Sequence, residues 1–120
     1  MTSSGFADTR RDVQDILQLV LNTPQLTQYY HFDQRPERIP LRIVNLTPLD
    51  IGNPDLTAAG QKVLISTERS DRAIEITAFT IADSAAELAF TFGVEGVVGR
   101  ATLKRVLGKW SFEKLSVAEK

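Results

Sequence analysis

Cysteine is absent from this 120-residue chain, and histidine and tryptophan each occur once. Without cysteine the chain has no disulfide bond, no thiolate nucleophile and no cysteine-ligated metal. A serine–histidine–aspartate site would have to use His31, and no serine lies in a glycine-flanked elbow. One histidine is also too few for the usual zinc ligand sets. The sequence therefore predicts no catalytic residue, no metal site and no cofactor.

Long apolar runs are missing as well. No stretch approaches the ~20 apolar residues that a membrane-spanning helix needs, so we expect no membrane partner. Residues 1–12 show no apolar segment behind a basic cluster, as a secretory signal would. We therefore expect a cytoplasmic protein, and a chain whose signal had been removed would look the same. The net charge of −1 argues against a dedicated nucleic-acid binder.

The length and composition are those of one globular domain. Apolar residues make up 42% and charged residues 24% of the chain, which is ordinary globular usage and sufficient for a single core. Residues 1–7 are polar apart from Met1, Phe6 and Ala7 and are expected to form a loose tail. We therefore predict a single domain over residues 1–120.

An amphipathic helix is predicted after this tail. Its apolar residues recur at helical spacing, with Asp8 or Thr9 as the expected cap. Thr23-Pro24 then provides a capping residue followed by proline, which favours a short second helix over residues 24–30. The apolar stripe of the first helix consists of Val13, Ile16, Leu17, Val20 and Leu21.

Alternation with a period of two dominates the second half of the chain, which is typical of strands with one buried face. After a first strand over residues 39–46 and a long connection over 47–60, we predict five more strands. The links between these five are short, which favours antiparallel neighbours in a meander. The five predicted strands cover residues 62–68, 73–82, 85–93, 97–106 and 109–117.

Two strands change phase midway, and such changes usually mark a β-bulge that bends the sheet. Ile76 and Phe79 fall on opposite phases of one strand, as do Phe112 and Leu115 of another. If the phases are kept, large apolar side chains remain on the face turned away from the helix, and contiguous patches of this kind tend to mark interfaces. These second-face candidates are Phe79, Ile81, Val98, Val106, Leu115 and Val117.

A polar segment after the second predicted helix supplies the candidate ligand-binding residues. His31 has a phenol and a carboxylate as neighbours, which could tune it as a base near neutral pH. Arginines further along could hold an anionic group. The alternative is a helix-terminal histidine near the last carbonyls and a loop whose charges keep it solvated. The candidates are Tyr30, His31, Asp33, Arg38 and Arg42.

The predicted helix Val13–Leu21 and the run from Leu88 to the Gly-Lys-Trp at residues 108–110, with its closing strand, resemble the cystatin-like and nuclear transport factor two-like superfolds. This resemblance implies an α+β roll, in which an N-terminal helix and a short second helix pack on a strongly curved antiparallel meander sheet of five to six strands. Such folds host enzymes, ligand binders, protease inhibitors and interaction modules, so the resemblance implies no single function.

Enzymes with these folds usually place an ionisable residue on the concave face under the helix. The rows that we assign to this face contain only apolar residues, with Trp110 as a core anchor. We therefore predict a small non-enzymatic binding or accessory domain that binds a protein partner or a second copy of itself through the sheet. The alternative is a small-molecule-binding or lyase/isomerase-like enzyme with a pocket at the open end of the roll.

Overall fold

A computed structural model describes the backbone of residues 5–120 and the side chains of residues 9–120. Helix α1 spans Gly5–Leu21, and the short helix α2 spans Pro24–Thr27. Helix α1 begins within the stretch 1–7 that was expected to form a tail, ahead of Asp8 and Thr9, where its start was predicted. The remaining residues of that stretch, 1–4, lie outside the described residues. Two single-turn 3-10 helices follow at Pro36–Arg38 and Gly93–Glu95.

The sheet has seven strands in the order β2-β3-β1-β4-β5-β6-β7 and curls strongly around the apolar stripe of α1. The α+β class and the helix-on-curved-sheet architecture are confirmed, with one strand more than the upper prediction because β2 lies in the long connection. The strands are β1 Leu41–Asn45, β2 Leu56–Ala58, β3 Gln61–Ser66, β4 Ile74–Ile81, β5 Ala85–Phe92, β6 Val97–Val106 and β7 Lys109–Glu119.

Strands β4 to β7 form the predicted antiparallel meander, whereas β3, which was predicted as its first strand, is separated from β4 by β1. Strand β1 lies between β3 and β4 and runs parallel to both. The segment that joins β3 to β4 can be short because the end of β3 and the start of β4 lie at nearly the same height along β1. Ser66, at the end of β3, pairs with Val44, and Ile74, at the start of β4, pairs with Ile43. The chain therefore crosses β1 without running back along the sheet.

Both predicted bulges are present. In β4 the register skips Thr77, and in β7 it skips Glu113. Each extra residue turns the following side chains back to the concave face. Phe79 therefore pairs with the buried Leu88, and Leu115 pairs with the buried Ala101. The assignment of four apolar residues to the second face is wrong for this reason, and the four are Phe79, Ile81, Leu115 and Val117.

The convex face of the sheet carries small and polar side chains instead of a large apolar patch. Val98 is half-buried there, and Val106 is 55% exposed next to the β6–β7 turn. The described residues of the convex face therefore do not form the contiguous apolar patch from which an interface was expected there. Exposed residues of this face include Thr77, Ala78, Thr80, Glu87, Arg100, Lys104 and Ser116.

The core lies between α1 and the concave face, and Trp110 belongs to it with 7% of its surface exposed. Gly99 pairs with Phe90 across β5 and β6, and a Cβ atom at residue 99 would overlap the Phe90 ring. Gly96, which precedes β6, has a φ of 65°, a backbone conformation that glycine adopts readily. Gly99 lies within β6, so its role is to leave room for an aromatic ring.

Candidate functional site

Tyr30, His31 and Asp33 line one pocket of about 370 Å³, together with Gln28 and Gln61. His31 is exposed and has a φ of 53°, which turns the chain sharply after the second helix. Asp33 is exposed. Tyr30 is 1% exposed, and its hydroxyl donates a hydrogen bond to the Leu21 carbonyl oxygen at 2.7 Å. Burial raises the pKa of the Tyr30 phenol well above its ordinary value, so this phenol serves packing and not proton transfer near neutral pH.

Arg38 and Arg42 do not join this pocket. Arg38 is buried, and its Nη1 donates to the carbonyl oxygens of Tyr29 and Tyr30, at 3.2 Å each. Its Nη2 lies 2.9 Å from Glu95 Oε2, while His31 Nε2 lies 3.4 Å from Glu95 Oε1. Arg42 is exposed on β1. The guanidinium of Arg38 is thus already paired with protein acceptors, and the two arginines form no common anion site.

A second polar cluster, which the sequence analysis missed, joins α1 to the β6–β7 hairpin. Asp12 Oδ1 accepts hydrogen bonds from Arg105 Nη1 at 2.8 Å and from Trp110 Nε1 at 3.0 Å. Arg105 Nη2 also donates to the Asp83 carbonyl oxygen, and its guanidinium lies 5.0 Å from the centroid of the Trp110 ring. The concave face therefore does carry an ionisable side chain, Arg105, contrary to the sequence analysis. Its charge is paired, which gives it a structural role.

The two edges of the sheet differ in how their backbone groups are satisfied. At the β2 edge, Gln18 Nε2 donates to the Thr57 carbonyl oxygen at 3.1 Å, and Gln18 Oε1 accepts from the Thr57 N–H at 3.1 Å. Asn22 binds the same carbonyl at 2.8 Å and the Ala59 N–H at 3.0 Å. Gln18 of α1 and Asn22, the residue that follows α1, therefore close this edge.

The β7 edge is open by comparison. It is 11 residues long, and in the part of the chain from residue 5 onward no strand pairs with its outer side. The Lys120 N–H donates to the Gly96 carbonyl oxygen at 2.8 Å, and backbone groups alternate along an antiparallel ladder. Residues 115, 117 and 119 therefore direct their N–H and C=O groups away from β6.

The alternation of backbone groups also determines which residues of β7 point outward before the bulge. The two-residue turn Leu107-Gly108, with φ values of 53° and 77°, makes Val106 and Lys109 its hydrogen-bonded closing pair. Alternation then directs the backbone groups of Trp110 and Phe112 outward. Because the bulge at Glu113 adds one residue, the backbone groups of Leu115 and Val117 also point outward. The open backbone positions of β7 thus coincide with its concave apolar side chains.

An apolar groove of about 680 Å³ lies beside this edge, between the end of α1 and the β6–β7 hairpin. Leu19 and Pro24 form one wall, and Trp110 and Phe112 form the other. Leu19, Phe112, Leu115 and Val117 are each only partly buried and pack against the core. We call this groove and the outer side of β7 the β7 edge surface. It combines unpaired backbone groups with half-exposed apolar side chains.

The described residues contain no group of three or more histidine, cysteine, aspartate or glutamate side chains that could hold a metal ion. Within the same residues, no helix is both long and apolar enough to cross a membrane. No protein-family model, no curated protein and no solved structure matches this chain. The geometry of its own residues is therefore the basis for a functional proposal.

Proposed function

We propose that this chain is a non-enzymatic protein-binding domain and that it binds an extended segment of its partner along the β7 edge surface. The observation that carries the proposal is the difference between the two sheet edges. Gln18 of α1 and Asn22, the residue after α1, close the β2 edge, whereas the longer β7 edge remains open in the described residues. Natural proteins commonly protect long open edges, because such edges pair readily with other chains.

The chemistry of β7 suits strand addition. In this mode the main chain supplies hydrogen bonds, and alternate side chains of the added strand enter pockets. The outward backbone groups of β7 provide the first element, and the apolar groove at Trp110 and Phe112 provides the second. The bulge at Glu113 and the charges at Lys109 and Lys114 limit unspecific pairing. The partner strand therefore needs matching charges and alternating apolar residues.

Site-specific photo-crosslinking in cells tests this proposal. A photo-reactive residue at Ser116, on β7, should give discrete cross-linked products, whereas the same residue at Thr80, on the convex side of β4, should not. Val117→Pro should abolish the Ser116 products, because it removes an outward N–H that β6 does not use. A thermal melt of Val117→Pro checks that the fold persists. Equal products from both positions, or products that survive Val117→Pro in a folded protein, would overturn the proposal.

A second candidate function rests on the pocket at Tyr30, His31 and Asp33. Its volume of about 370 Å³ lies within the usual range for small-molecule sites, roughly 300–1,000 Å³. In a fragment screen by NMR, small polar aromatic fragments should shift the amide signals of His31 and Asp33, and His31→Ala should weaken that response. A screen in which no fragment shifts these signals would exclude the site for such ligands.

A further inference from the structure

We infer that the extended partner is the β7 strand of a second copy of this chain, paired antiparallel about a two-fold axis; this rests on the proposed function of the β7 edge surface. The sequence of β7, KWSFEKLSVAE, is complementary to itself. When the axis passes between Glu113 and Lys114, each Glu113 lies opposite Lys114 of the other copy. Opposite charges on directly opposed residues stabilise a strand pair, and like charges destabilise it.

The same axis matches the apolar side chains. Phe112 lies opposite Leu115 of the second copy, and Trp110 lies opposite Val117. All four point to the concave face in their own sheet, because the bulge at Glu113 corrects the phase between Phe112 and Leu115. The partly buried side chains of Phe112, Leu115 and Val117 from both edges therefore meet, together with Trp110, on one side of the joined sheet. Ser111 lies opposite Ser116 on the convex side, where both are exposed.

The backbone direction is consistent with this register as well. The four apolar residues of β7 direct their N–H and C=O groups outward. This direction follows from the closing pair of the β6–β7 hairpin and from the hydrogen bond between Lys120 and Gly96. Antiparallel pairing requires outward residues to face outward residues. An axis through Lys114 would place this lysine opposite itself, and an axis between Lys114 and Leu115 would place Lys109 opposite Lys120. An axis between Glu113 and Lys114 avoids both like-charge pairs and uses the strand on both sides of the bulge.

Charge reversal provides the first test. Sedimentation velocity should show a dimer of the wild-type protein at micromolar concentration. Glu113→Lys and Lys114→Glu should each raise the dissociation constant about tenfold or more, because both cross-strand charge pairs become repulsive. An equimolar mixture of the two variants should dimerise again, since each variant then faces the opposite charge. Lys104→Glu, which reverses an exposed charge on the convex face of β6, is the matched control and should leave the dimer unchanged.

Engineered cysteines test the register, and the chain has no cysteine of its own to interfere. In the inferred dimer, residues 111 and 116 of different copies are directly opposed, within the Cα separation of roughly 4.4–6.8 Å that a disulfide spans. Ser111→Cys mixed with Ser116→Cys should give a disulfide-linked dimer under mild oxidation. Either variant alone should not, because its two copies of the engineered residue lie about 16 Å apart in this register.

These outcomes separate the inference from the proposed function. A wild-type protein that stays monomeric at micromolar concentration overturns pairing with a second copy, and so does a dimer insensitive to both charge reversals. Cross-linking of each cysteine variant with itself, or none in the mixture, overturns the register. In either case, photo-crosslinks from Ser116 to a polypeptide of another mass would still support strand addition at β7. The absence of any such product would remove the proposed function too.

Discussion

The indole Nε1 of Trp110 donates a hydrogen bond of 3.0 Å to Oδ1 of Asp12, across 98 positions of sequence. The same oxygen accepts from Arg105 Nη1 at 2.8 Å, so one carboxylate on α1 holds both strands of the β6–β7 hairpin. This contact orients Trp110, whose ring forms part of the groove beside β7. The position of the β7 edge surface thus depends on a buried polar contact between the helix and the last hairpin.

Replacing Trp110 with alanine should destabilise the fold strongly. The side chain is 7% exposed, and truncating a buried tryptophan costs ~3–5 kcal/mol through lost burial and the cavity that remains. Urea denaturation followed by far-UV circular dichroism measures the effect. Leu107→Ala is the control, because Leu107 is 98% exposed, and its free energy of unfolding should change by less than about 0.5 kcal/mol. A Trp110→Ala variant within about 1 kcal/mol of wild type would contradict the assignment of Trp110 to the core.

Replacing Asp12 with alanine should lower the free energy of unfolding by about 1–3 kcal/mol, because the buried Trp110 N–H loses its acceptor. Arg105 should contribute less to this loss, since its side chain is 29% exposed and can reach water. A double-mutant cycle with Trp110→Phe, which removes the N–H and keeps a ring, should give a coupling energy of at least about 0.5 kcal/mol. Asp15→Ala, at an exposed position on the same helix, should change little. Additive effects of Asp12→Ala and Trp110→Phe would show that the hydrogen bond contributes nothing.

Introducing a methyl group at Gly99 should also destabilise the protein. The new Cβ atom of Gly99→Ala would overlap the Phe90 ring, and overpacking of this kind costs about 1–3 kcal/mol. Adding Phe90→Leu should recover part of the loss relative to the effect of Phe90→Leu alone, because the smaller side chain vacates that space. Equal losses from Gly99→Ala in both backgrounds, measured by chemical denaturation, would show that the ring is not the obstacle.

Tyr30 should make the stability of the fold fall at alkaline pH. Burial raises the pKa of its phenol above the ordinary value of 10.0. The folded state therefore keeps a proton that the unfolded state releases above about pH 10, and stability declines as the pH rises further. Tyr30→Phe should be less stable at neutral pH, because it leaves the Leu21 carbonyl oxygen without its donor, and should lose less on moving to pH 11 than wild type does. An equal decrease in the free energy of unfolding of the two proteins between neutral pH and pH 11 would contradict this account.

The features that the sequence predicted correctly are those that a local pattern determines. The stripe from Val13 to Leu21 required only helical spacing, and the bulges at Thr77 and Glu113 followed from phase changes within single strands. The insertion of β1 between β3 and β4 could not be read in this way, because the choice of a partner strand depends on the whole sheet. The faces of Phe79 and Leu115 were wrong because a bulge changes the direction of every side chain after it.

In the candidate site, too, a local pattern predicted some features, whereas others depend on contacts between distant parts of the chain. Tyr30, His31 and Asp33 lie close in sequence, and they share a pocket. Arg38 is paired with Glu95, which is 57 residues away, and no local pattern indicates that pairing. The contacts of Asp12 with Arg105 and Trp110 span 93 and 98 residues and were missed for the same reason. Long-range polar contacts of this kind become visible only when the fold is known.

Amide hydrogen exchange along β7, followed by NMR at low and at high protein concentration, tests the central claim most directly. In the isolated domain, the amides of Ser111 and Ser116 bond to β6 and exchange slowly, whereas those of Phe112, Leu115 and Val117 point outward and exchange fast. If a second copy adds to this edge, the three outward amides should become protected as the concentration rises, and Lys114→Glu should reverse that protection. Outward amides that exchange fast at every concentration would contradict pairing of β7 with a second copy.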